Sequence, residues 1–179
     1  MAEDSALKKA PALPALLFLS ILNSSYLIEK PGSGGELHSS RFIMQQPITI
    51  LIADDSPHMR QSLKLLLSSQ EAFRLIAEAC NGEEAIAMVA EFKPDILLID
   101  INMSPVNGFE ATRKILKQNP ATRIIALSLH KEPSYCRNML RLGAKGYVSK
   151  SSSHGEILNA IKEVAVGGRY VDKNIEGVL

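Results

Sequence analysis

The sequence predicts an α/β fold in which helices cover both faces of an open parallel sheet. From Met44 onward, short strand-like runs alternate with stretches of helical periodicity. Several of the strand-like runs are apolar throughout, which is the pattern of strands buried on both faces. Strands that alternate with helices form right-handed βαβ units and therefore a parallel sheet. The 179 residues suffice for one such domain with further sequence at an end.

The first strand and helix are predicted from the run ITILIADDSP. Ile48–Asp54 is expected to form a strand, and Ser56 is a suitable N-cap for the helix that follows. Pro57 fits the first helical position, where a missing N–H costs nothing. The apolar residues of this helix recur on one face: Met59, Leu63, Leu66 and Leu67.

A second and a third strand follow, with a helix between them. Phe73–Ala79 is the second strand, and Asn81 and Gly82 interrupt the pattern before the helix. The helix has one apolar face formed by Ile86, Val89 and Ala90. Asp95–Asp100 is a continuous apolar run between charged residues, which predicts a fully buried third strand.

The remaining elements repeat the alternation. A third helix presents Phe109, Thr112 and Leu116 on one face. Arg123–Ser128 is the fourth strand, a fourth helix covers Pro133–Leu142 before Gly143, and Gly146–Lys150 is a short fifth strand. The last helix ends at a pair of glycines and has an apolar face formed by Ile157, Ile161 and Val164.

Composition and charge restrict the class of protein. The chain has 20 Lys and Arg against 19 Asp and Glu, and no block of charge marks a nucleic-acid-binding surface. Cys80 and Cys136 form no CxxC motif, so we expect two reduced thiols in a cytosolic protein. A domain of this size buries enough surface to fold without a disulfide or a structural metal.

The first 46 residues differ in character from the rest of the chain. Two lysines precede the apolar run Leu13–Leu22, as in a signal peptide, but no convincing cleavage site follows. The run is also too short and too polar for a membrane-spanning helix, and KPGSGGELHSS is typical of a flexible linker. We predict an N-terminal extension over residues 1–46, disordered or weakly helical. An upstream extension, a membrane- or partner-binding segment and an export signal remain alternatives for its role.

Polar residues at the carboxyl ends of four predicted strands indicate a binding site. Ligands of open parallel sheets bind at this edge, and the polar residues there are Asp54, Asp55, Asp100, Ser128 and Lys150. Two adjacent carboxylates about 4 Å apart repel by roughly 4 kcal/mol at an effective dielectric constant near 20. Mg²⁺, which accepts a few carboxylates and shares oxygens with phosphoryl groups, would offset this repulsion. We therefore expect a Mg²⁺ site that Lys150 supplements with a further positive charge.

These residues stand in the motifs ADDS, DINMSPVNG, ALS and GAKGYVSK, with 45 residues from Asp55 to Asp100 and 50 from there to Lys150. Met44 to about Gly168 thereby resembles the receiver domain of two-component response regulators, and the end of the chain resembles the LuxR/NarL-type regulators. The resemblance implies a flavodoxin-like (βα)5 fold with strand order 2-1-3-4-5. It implies a receiver domain over residues 47–168. Residues 169–179 would then start a linker to a C-terminal helix-turn-helix output domain that these residues do not include.

The resemblance also implies roles for the site residues. Asp100 would accept a phosphoryl group from a sensor histidine kinase, a phosphotransfer protein or a small phosphodonor. Mg²⁺ would be held by Asp54, Asp55, Asp100 and the backbone carbonyl of Asn102. Ser128 and Lys150 would contact the phosphoryl group.

Three residues are implied to adjust the response. Tyr147 corresponds to the switch aromatic, which turns inward as Ser128 moves toward the phosphoryl group, although an ordinary packing role is the alternative. Asn102 and His130 correspond to positions that tune dephosphorylation. The sequence departs from the family pattern at one position near the acceptor. Many receivers have proline four residues after the acceptor, where this chain has Ser104 followed by Pro105.

The implied function is a phosphorylation-dependent switch from a transcriptional regulator. It would catalyse only its own phosphoryl transfer and autodephosphorylation, act in the cytoplasm, and form a homodimer through the fourth helix, fifth strand and fifth helix. No nucleic acid or membrane is an expected partner of this chain itself. Both a fragment of a longer regulator and a stand-alone receiver remain open.

Other functions fit the residues less well. A haloacid-dehalogenase-like phosphatase needs a second Asp two residues after its nucleophile, and the run from Asp54 to Pro57 lacks one. A flavodoxin-like FMN binder needs a Ser/Thr-rich loop after the first strand, where DDSPHMR would repel phosphate. A pseudo-receiver that serves as a docking platform, or a purely structural ion network, would leave the complete set of five polar residues without a role.

Overall fold

The computed structural model describes residues 46–175, and the predicted N-terminal extension lies almost entirely outside this range. Six parallel strands form one sheet in the order β2-β1-β3-β4-β5-β6. The strands are β1 Ile48–Ala53, β2 Phe73–Ala79, β3 Ile96–Asp100, β4 Arg123–Ser128, β5 Gly146–Ser149 and β6 Tyr170–Val171. The helices are α1 Pro57–Ser68, α2 Gly82–Phe92, α3 Gly108–Gln118, α4 Pro133–Leu142 and α5 His154–Ala165.

The predicted α/β fold and the strand order 2-1-3-4-5 are confirmed. β6 is an addition that the sequence analysis did not predict, and it extends the sheet beyond β5. It lies within residues 169–179, the segment expected to begin a linker, so this segment starts as part of the sheet. The predicted strand bounds differ from the observed ones by one residue at most, because charged or polar residues mark the ends of the apolar runs.

Alternation along the strands divides the core between the two faces of the sheet. On one face, Leu51, Leu97 and Ala126 pack with residues of α2, α3 and α4. On the other face, Ile52 and Leu98 pack with residues of α1 and α5. Successive side chains of a strand point to opposite faces, so apolar runs such as ILLID need a helix layer on each side. The sheet is therefore doubly wound.

Each helix begins at the carboxyl edge of the sheet, and all but α4 have a side-chain cap that the sequence supplies. The side chains of Ser56, Asn81, Asn107 and Ser153 accept a hydrogen bond from a backbone N–H in the first turn of α1, α2, α3 and α5. Helix N-termini carry partial positive charge, so this edge of the sheet favours anionic groups. No helix within residues 46–175 is both long enough and apolar enough to cross a membrane.

Candidate functional site

Three carboxylates meet at the carboxyl ends of β1 and β3. Oxygen atoms of Asp54, Asp55 and Asp100 all lie within 4.8 Å of one another. Asp54 and Asp100 are buried, with Asp100 only 4% exposed, whereas Asp55 is exposed to solvent. The strand ends place them together because Ala53, which precedes the acidic pair, is paired with Ile99, which precedes Asp100. The sequence predicted this convergence from the positions of the strand ends.

Lys150 binds two of these carboxylates at once. Its Nζ atom lies 2.7 Å from Asp54 Oδ2 and 2.7 Å from Asp100 Oδ2, and its side chain is 11% exposed. Burial lowers the pKa of the Lys150 ammonium, but the hydrogen bonds and charges of Asp100 and Asp54 outweigh this effect, so its pKa is raised overall. Lys150 is therefore a positively charged group at neutral pH.

Backbone N–H groups stabilise the other oxygens of the two buried carboxylates. Asp54 Oδ1 accepts the Ser56 N–H at 2.9 Å, and Asp100 Oδ1 accepts the Asn102 N–H at 3.1 Å. Burial still raises the pKa of Asp54 above its usual value, although Lys150 and the Ser56 N–H oppose this shift. A further cation would stabilise the ionised form of Asp54.

The arrangement fits a Mg²⁺ ion. Oxygen ligands of one octahedral Mg²⁺ at about 2.1 Å are roughly 3–4 Å apart. Three carboxylate oxygens within 4.8 Å of one another fit one ion, and any longer pair would close slightly or bind through a water molecule. Within residues 46–175, Asp54 Oδ2 is paired with the Lys150 ammonium at 2.7 Å, and no other donor forms a hydrogen bond with it. This oxygen consequently keeps a lone pair for a cation or its water shell.

Ser128 and Tyr147 are joined through the backbone of His130. The Ser128 hydroxyl oxygen accepts the His130 N–H at 3.0 Å, and the Tyr147 hydroxyl donates to the His130 carbonyl at 2.8 Å. Both Ser128 and Tyr147 are fully buried. Burial raises the pKa of Tyr147 to about 12, so its hydroxyl remains a donor. The side chain of Tyr147 already points inward.

The side chain of His130 covers the loop that follows β3. Its Nε2 lies 2.9 Å from the Asn102 Nδ2 amide, its Nδ1 lies 3.5 Å from Glu132 Oε2, and its ring stacks on Tyr135 at 4.1 Å between centroids. The two residues implied to tune dephosphorylation are thus in direct contact. Glu132 and Tyr135 had not been singled out in the sequence, because stacking across a loop has no periodic pattern.

Two functional candidates were missed in the sequence analysis. Arg60 of α1 donates from Nη1 to the Asp54 carbonyl at 2.7 Å and so brings a second cation to the acidic pair. Its place one turn after the Ser56 cap was the available indication. Asp172, after β6, accepts hydrogen bonds from both sides of the turn that contains Lys150. Nothing in a run such as YVDKN distinguishes that role from a solvated linker.

Comparisons with known proteins show which family and which relatives this chain is similar to. The family model for the response regulator receiver domain matches residues 50–162. The transcriptional regulatory protein DegU of Brevibacillus brevis is 35% identical over 133 residues, which are 74% of this chain and 56% of DegU. The oxygen regulatory protein NreC of Staphylococcus haemolyticus is 38% identical over 127 residues, 70% of this chain and 58% of NreC. The chain therefore spans less than two thirds of the length of these curated relatives.

A similar solved structure is that of a LuxR-family two-component response regulator from Aurantimonas sp. SI85-9A1. It superimposes with a TM-score of 0.70 and 31% sequence identity, and the match covers 73% of this chain and 93% of that chain.

Proposed function

The chain belongs to the response regulator receiver domain family, and on that premise we propose that Asp100 accepts a phosphoryl group and so sets the state of a signalling switch. A receiver domain is a signalling module and not a classical enzyme. The observation that carries the proposal is the setting of the Asp100 carboxylate. It lies at the edge of the sheet between the Lys150 ammonium at 2.7 Å and the Asn102 N–H at 3.1 Å, beside two further carboxylates.

The proposed reaction is a direct phosphoryl transfer from a phosphohistidine of a sensor histidine kinase or a phosphotransfer protein. A carboxylate oxygen of Asp100 forms the new bond to phosphorus as the bond from phosphorus to the histidine nitrogen breaks. The electron pair of that bond stays with the imidazole. Lys150 remains protonated throughout and lies close enough to Asp100 to bind an oxygen of the arriving group.

The acidic cluster is proposed to hold Mg²⁺ through Asp54, Asp55, Asp100 and the backbone carbonyl of Asn102. When bound, the ion supplies neutralisation of the charge on the phosphoryl oxygens during transfer. The support from this chain is its own charge distribution: three carboxylates within 4.8 Å, of which Lys150 contacts only two.

The same residues support a conformational response. The phosphoryl group adds about −1.5 to −2 units of charge and strong acceptor oxygens. A Ser128 side chain that rotates toward one of them moves its oxygen away from the His130 N–H, and the His130 carbonyl is the acceptor for Tyr147. A change at Ser128 is thus passed to Tyr147 through one residue. Shifting such a two-state switch from 1:99 to 99:1 needs about 5.5 kcal/mol of differential interaction free energy, which the new contacts of the phosphoryl group would have to supply.

Asn102 and His130 are proposed to set the lifetime of the phosphorylated state. Their side chains contact each other at 2.9 Å, with Asn102 two residues after the acceptor and His130 two residues after Ser128. An acyl phosphate decays by attack of water on phosphorus, and we propose that this pair guides or blocks the water that attacks. Autodephosphorylation would accordingly change when either side chain is shortened.

For the whole protein, we propose a cytoplasmic transcriptional regulator, because DegU is named a transcriptional regulatory protein and this chain spans just over half of its length. Residues 47–168 would be the receiver, with the extension 1–46 before it and the start of the linker after it. Phosphorylation is proposed to favour a homodimer through α4, β5 and α5. Tyr147 on β5 would connect that surface to the acceptor site.

The intact mass of the protein after incubation with acetyl phosphate tests the proposal. Wild type is expected to gain one phosphoryl group with Mg²⁺ and none without it, and Asp100→Asn should gain none. Asp95→Asn is the matched control, because Asp95 lies at the opposite edge of the sheet, where it accepts hydrogen bonds from Thr49. Absence of any gain in wild type would contradict the switch and leave a receiver fold that serves only for docking.

A further inference from the structure

A buried aspartate outside the acidic cluster holds the C-terminal end of the sheet. Asp172 follows β6 and is 1% exposed. Its Oδ2 accepts the Ser149 N–H at 3.1 Å and the Ser152 hydroxyl. Its Oδ1 accepts the Asn174 N–H at 2.9 Å and the Asn174 side-chain amide at 3.0 Å. Four donors therefore converge on a carboxylate that the proposed reaction does not use.

The first two donors come from the two sides of Lys150. Ser149 precedes Lys150 and Ser152 follows two residues after it, and the Ser152 N–H closes a turn on the Ser149 carbonyl at 3.0 Å. On its other side, the Lys150 N–H donates to the Ser128 carbonyl at 2.8 Å. The backbone that carries the Lys150 side chain is thus fixed by β4 on one side and by Asp172 on the other.

The backbone of the C-terminal segment, residues 170–175, is attached to the same strand. The Tyr170 N–H donates to the Lys145 carbonyl at 2.9 Å, and the Asp172 N–H donates to the Tyr147 carbonyl at 2.9 Å. Ile175 is buried and belongs to the core cluster that contains Tyr147. This one short segment therefore contacts both the strand that carries Tyr147 and the turn that carries Lys150.

A carboxylate is a costly choice for a merely structural attachment. A buried charge is tolerated only when it is well hydrogen-bonded, and an edge strand of two residues could be held by apolar side chains. Charge-assisted hydrogen bonds differ from apolar contacts in being directional and strong. Lys150 has to reach two carboxylates at 2.7 Å, so its turn needs such directional support.

Resting on the proposed function of Asp100, we infer that Asp172 is a positioning residue for phosphoryl transfer. It orients the turn between β5 and α5 so that Lys150 meets Asp100, and it couples the C-terminal segment to the acceptor site. Coupling between two sites is reciprocal. A phosphoryl analogue bound at Asp100 should therefore stabilise the segment 170–175, and loss of the Asp172 carboxylate should impair the reaction.

The first test compares phosphorylation rates of wild type, Asp172→Asn and Asp95→Asn with acetyl phosphate and Mg²⁺. In Asp172→Asn, an amide N–H₂ replaces one of the two acceptor oxygens, so two of the four donors lose their acceptor. We expect the rate constant of phosphorylation to fall about tenfold because Lys150 is misplaced. The Mg²⁺ concentration for half-maximal rate should fall, because a displaced Lys150 ammonium competes less with the ion for Asp54 and Asp100. Thermal unfolding confirms that each variant is folded. If Asp172→Asn fails to fold, Ser152→Ala removes one donor and should show a smaller slowing.

The second test measures amide hydrogen exchange with beryllofluoride and Mg²⁺. In wild type, the analogue should slow exchange at Ser149 and across residues 170–175, and in Asp172→Asn this slowing should be absent. A wild-type rate in Asp172→Asn, equal slowing in Asp95→Asn, or no response of residues 170–175 in wild type would overturn the inference. Failure of the proposed function gives a different result, because wild type itself would then acquire no phosphoryl group.

Discussion

Lys150 is the residue on which the charge distribution of the acidic site depends. Asp54 and Asp100 are buried, and the ammonium at 2.7 Å from both is their shared cation. Breaking a buried ion pair by removal of one partner typically costs about 3–5 kcal/mol, because the remaining charge is left without compensation. Here the removal of one cation would leave two such charges.

Substitution of Lys150 by methionine should therefore destabilise the protein and change its response to Mg²⁺. We expect Lys150→Met to lose about 3 kcal/mol of unfolding free energy without the ion. Mg²⁺ should restore more stability to this variant than it adds to wild type, because the carboxylates no longer share a competing cation. Thermal unfolding with and without Mg²⁺ measures both effects.

The exposed pair of Lys64 and Glu78 provides the matched control. Its Nζ–Oε1 distance is also 2.7 Å, but the side chains are 52% and 29% exposed. Exposed ion pairs contribute about 0–1 kcal/mol, so Lys64→Met should have little effect and no Mg²⁺ dependence. Equal losses in the two variants would show that the burial of the Lys150 contacts has no energetic consequence.

At the scale of single residues, sequence reasoning reached those whose position follows from a strand end. Asp54, Asp100 and Lys150 each come directly at or after the end of an apolar run, and parallel strands bring such ends to one edge. Arg60 and Tyr135 could not be found in this way. Their contacts depend on the rotamer of a long side chain and on the path of a loop, neither of which leaves a periodic pattern.

At the scale of elements, the connection from β3 to α3 positions Asp100, the proposed acceptor. The Gly108 N–H donates to the Ile101 carbonyl at 2.9 Å, so the chain returns to the end of β3 before α3 begins. A Cβ atom on Gly108 would lie 2.3 Å from the Asp100 carbonyl oxygen. Only glycine permits this approach, and any larger residue must displace the backbone of the acceptor.

Gly108→Ala should therefore reduce both stability and phosphorylation. The clash is with backbone atoms, which cannot rotate away, and we expect a loss of about 1–3 kcal/mol together with a slower gain of phosphoryl group. Gly155→Ala in α5 is the control, because its Cβ would meet only Ser153 Oγ at 3.6 Å. The control should leave stability unchanged or slightly raised. Intact mass and thermal unfolding report both quantities, and normal phosphorylation of Gly108→Ala would contradict this role of the loop.

The attachment of β6 should give the protein a distinct sensitivity to acid. Burial raises the pKa of Asp172, but the hydrogen bonds from Ser152, Asn174 and Ser149 outweigh it, so the pKa is lowered overall. A carboxyl group whose pKa is lower in the folded than in the unfolded protein adds stability at pH values above its unfolded-state pKa of about 3.9. This contribution is lost as the pH falls through the folded-state pKa.

Asp172→Asn should accordingly flatten the acid limb of the stability profile. Wild type is expected to lose stability below about pH 4 more steeply than the variant does, and the two curves should run parallel at higher pH. Urea unfolding across this pH range measures the difference. Identical acid limbs would show that Asp172 gains no stabilisation from its four donors.

The presence of β6 was beyond the reach of sequence patterns. Two residues are too few for an alternation of period two, and Gly167 and Gly168 before them favour a chain that leaves the domain. Its pairing is determined by long-range contacts, in which the backbone of β5 offers an unpaired edge and Asp172 finds donors there. By contrast, α1 to α5 have apolar faces that are local in sequence, and all but α4 also have a side-chain cap. Those elements were predicted correctly.

At the scale of the whole molecule, the two edges of the parallel sheet carry different groups. The amino edge is closed by structural contacts such as those of Thr49 with Asp95 at 2.9 and 2.6 Å. The carboxyl edge collects the helix N-termini, the carboxylates and Lys150. The fold class therefore predicted where the site lies, and five polar residues in order predicted its chemistry. The segment after β5 was not foreseen as a contributor to it.

The central claim is that the phosphoryl group is carried by Asp100, and locating the group tests this most directly. An aspartyl phosphate is an acyl phosphate, which borohydride reduces to homoserine with release of the phosphate. Wild type treated with acetyl phosphate and Mg²⁺, reduced and digested, should yield homoserine at position 100 in the peptide that contains DINMSPVNG. Homoserine at position 54 or 55 instead, or reduction at no aspartate while the intact mass shows a phosphoryl group, would contradict the account.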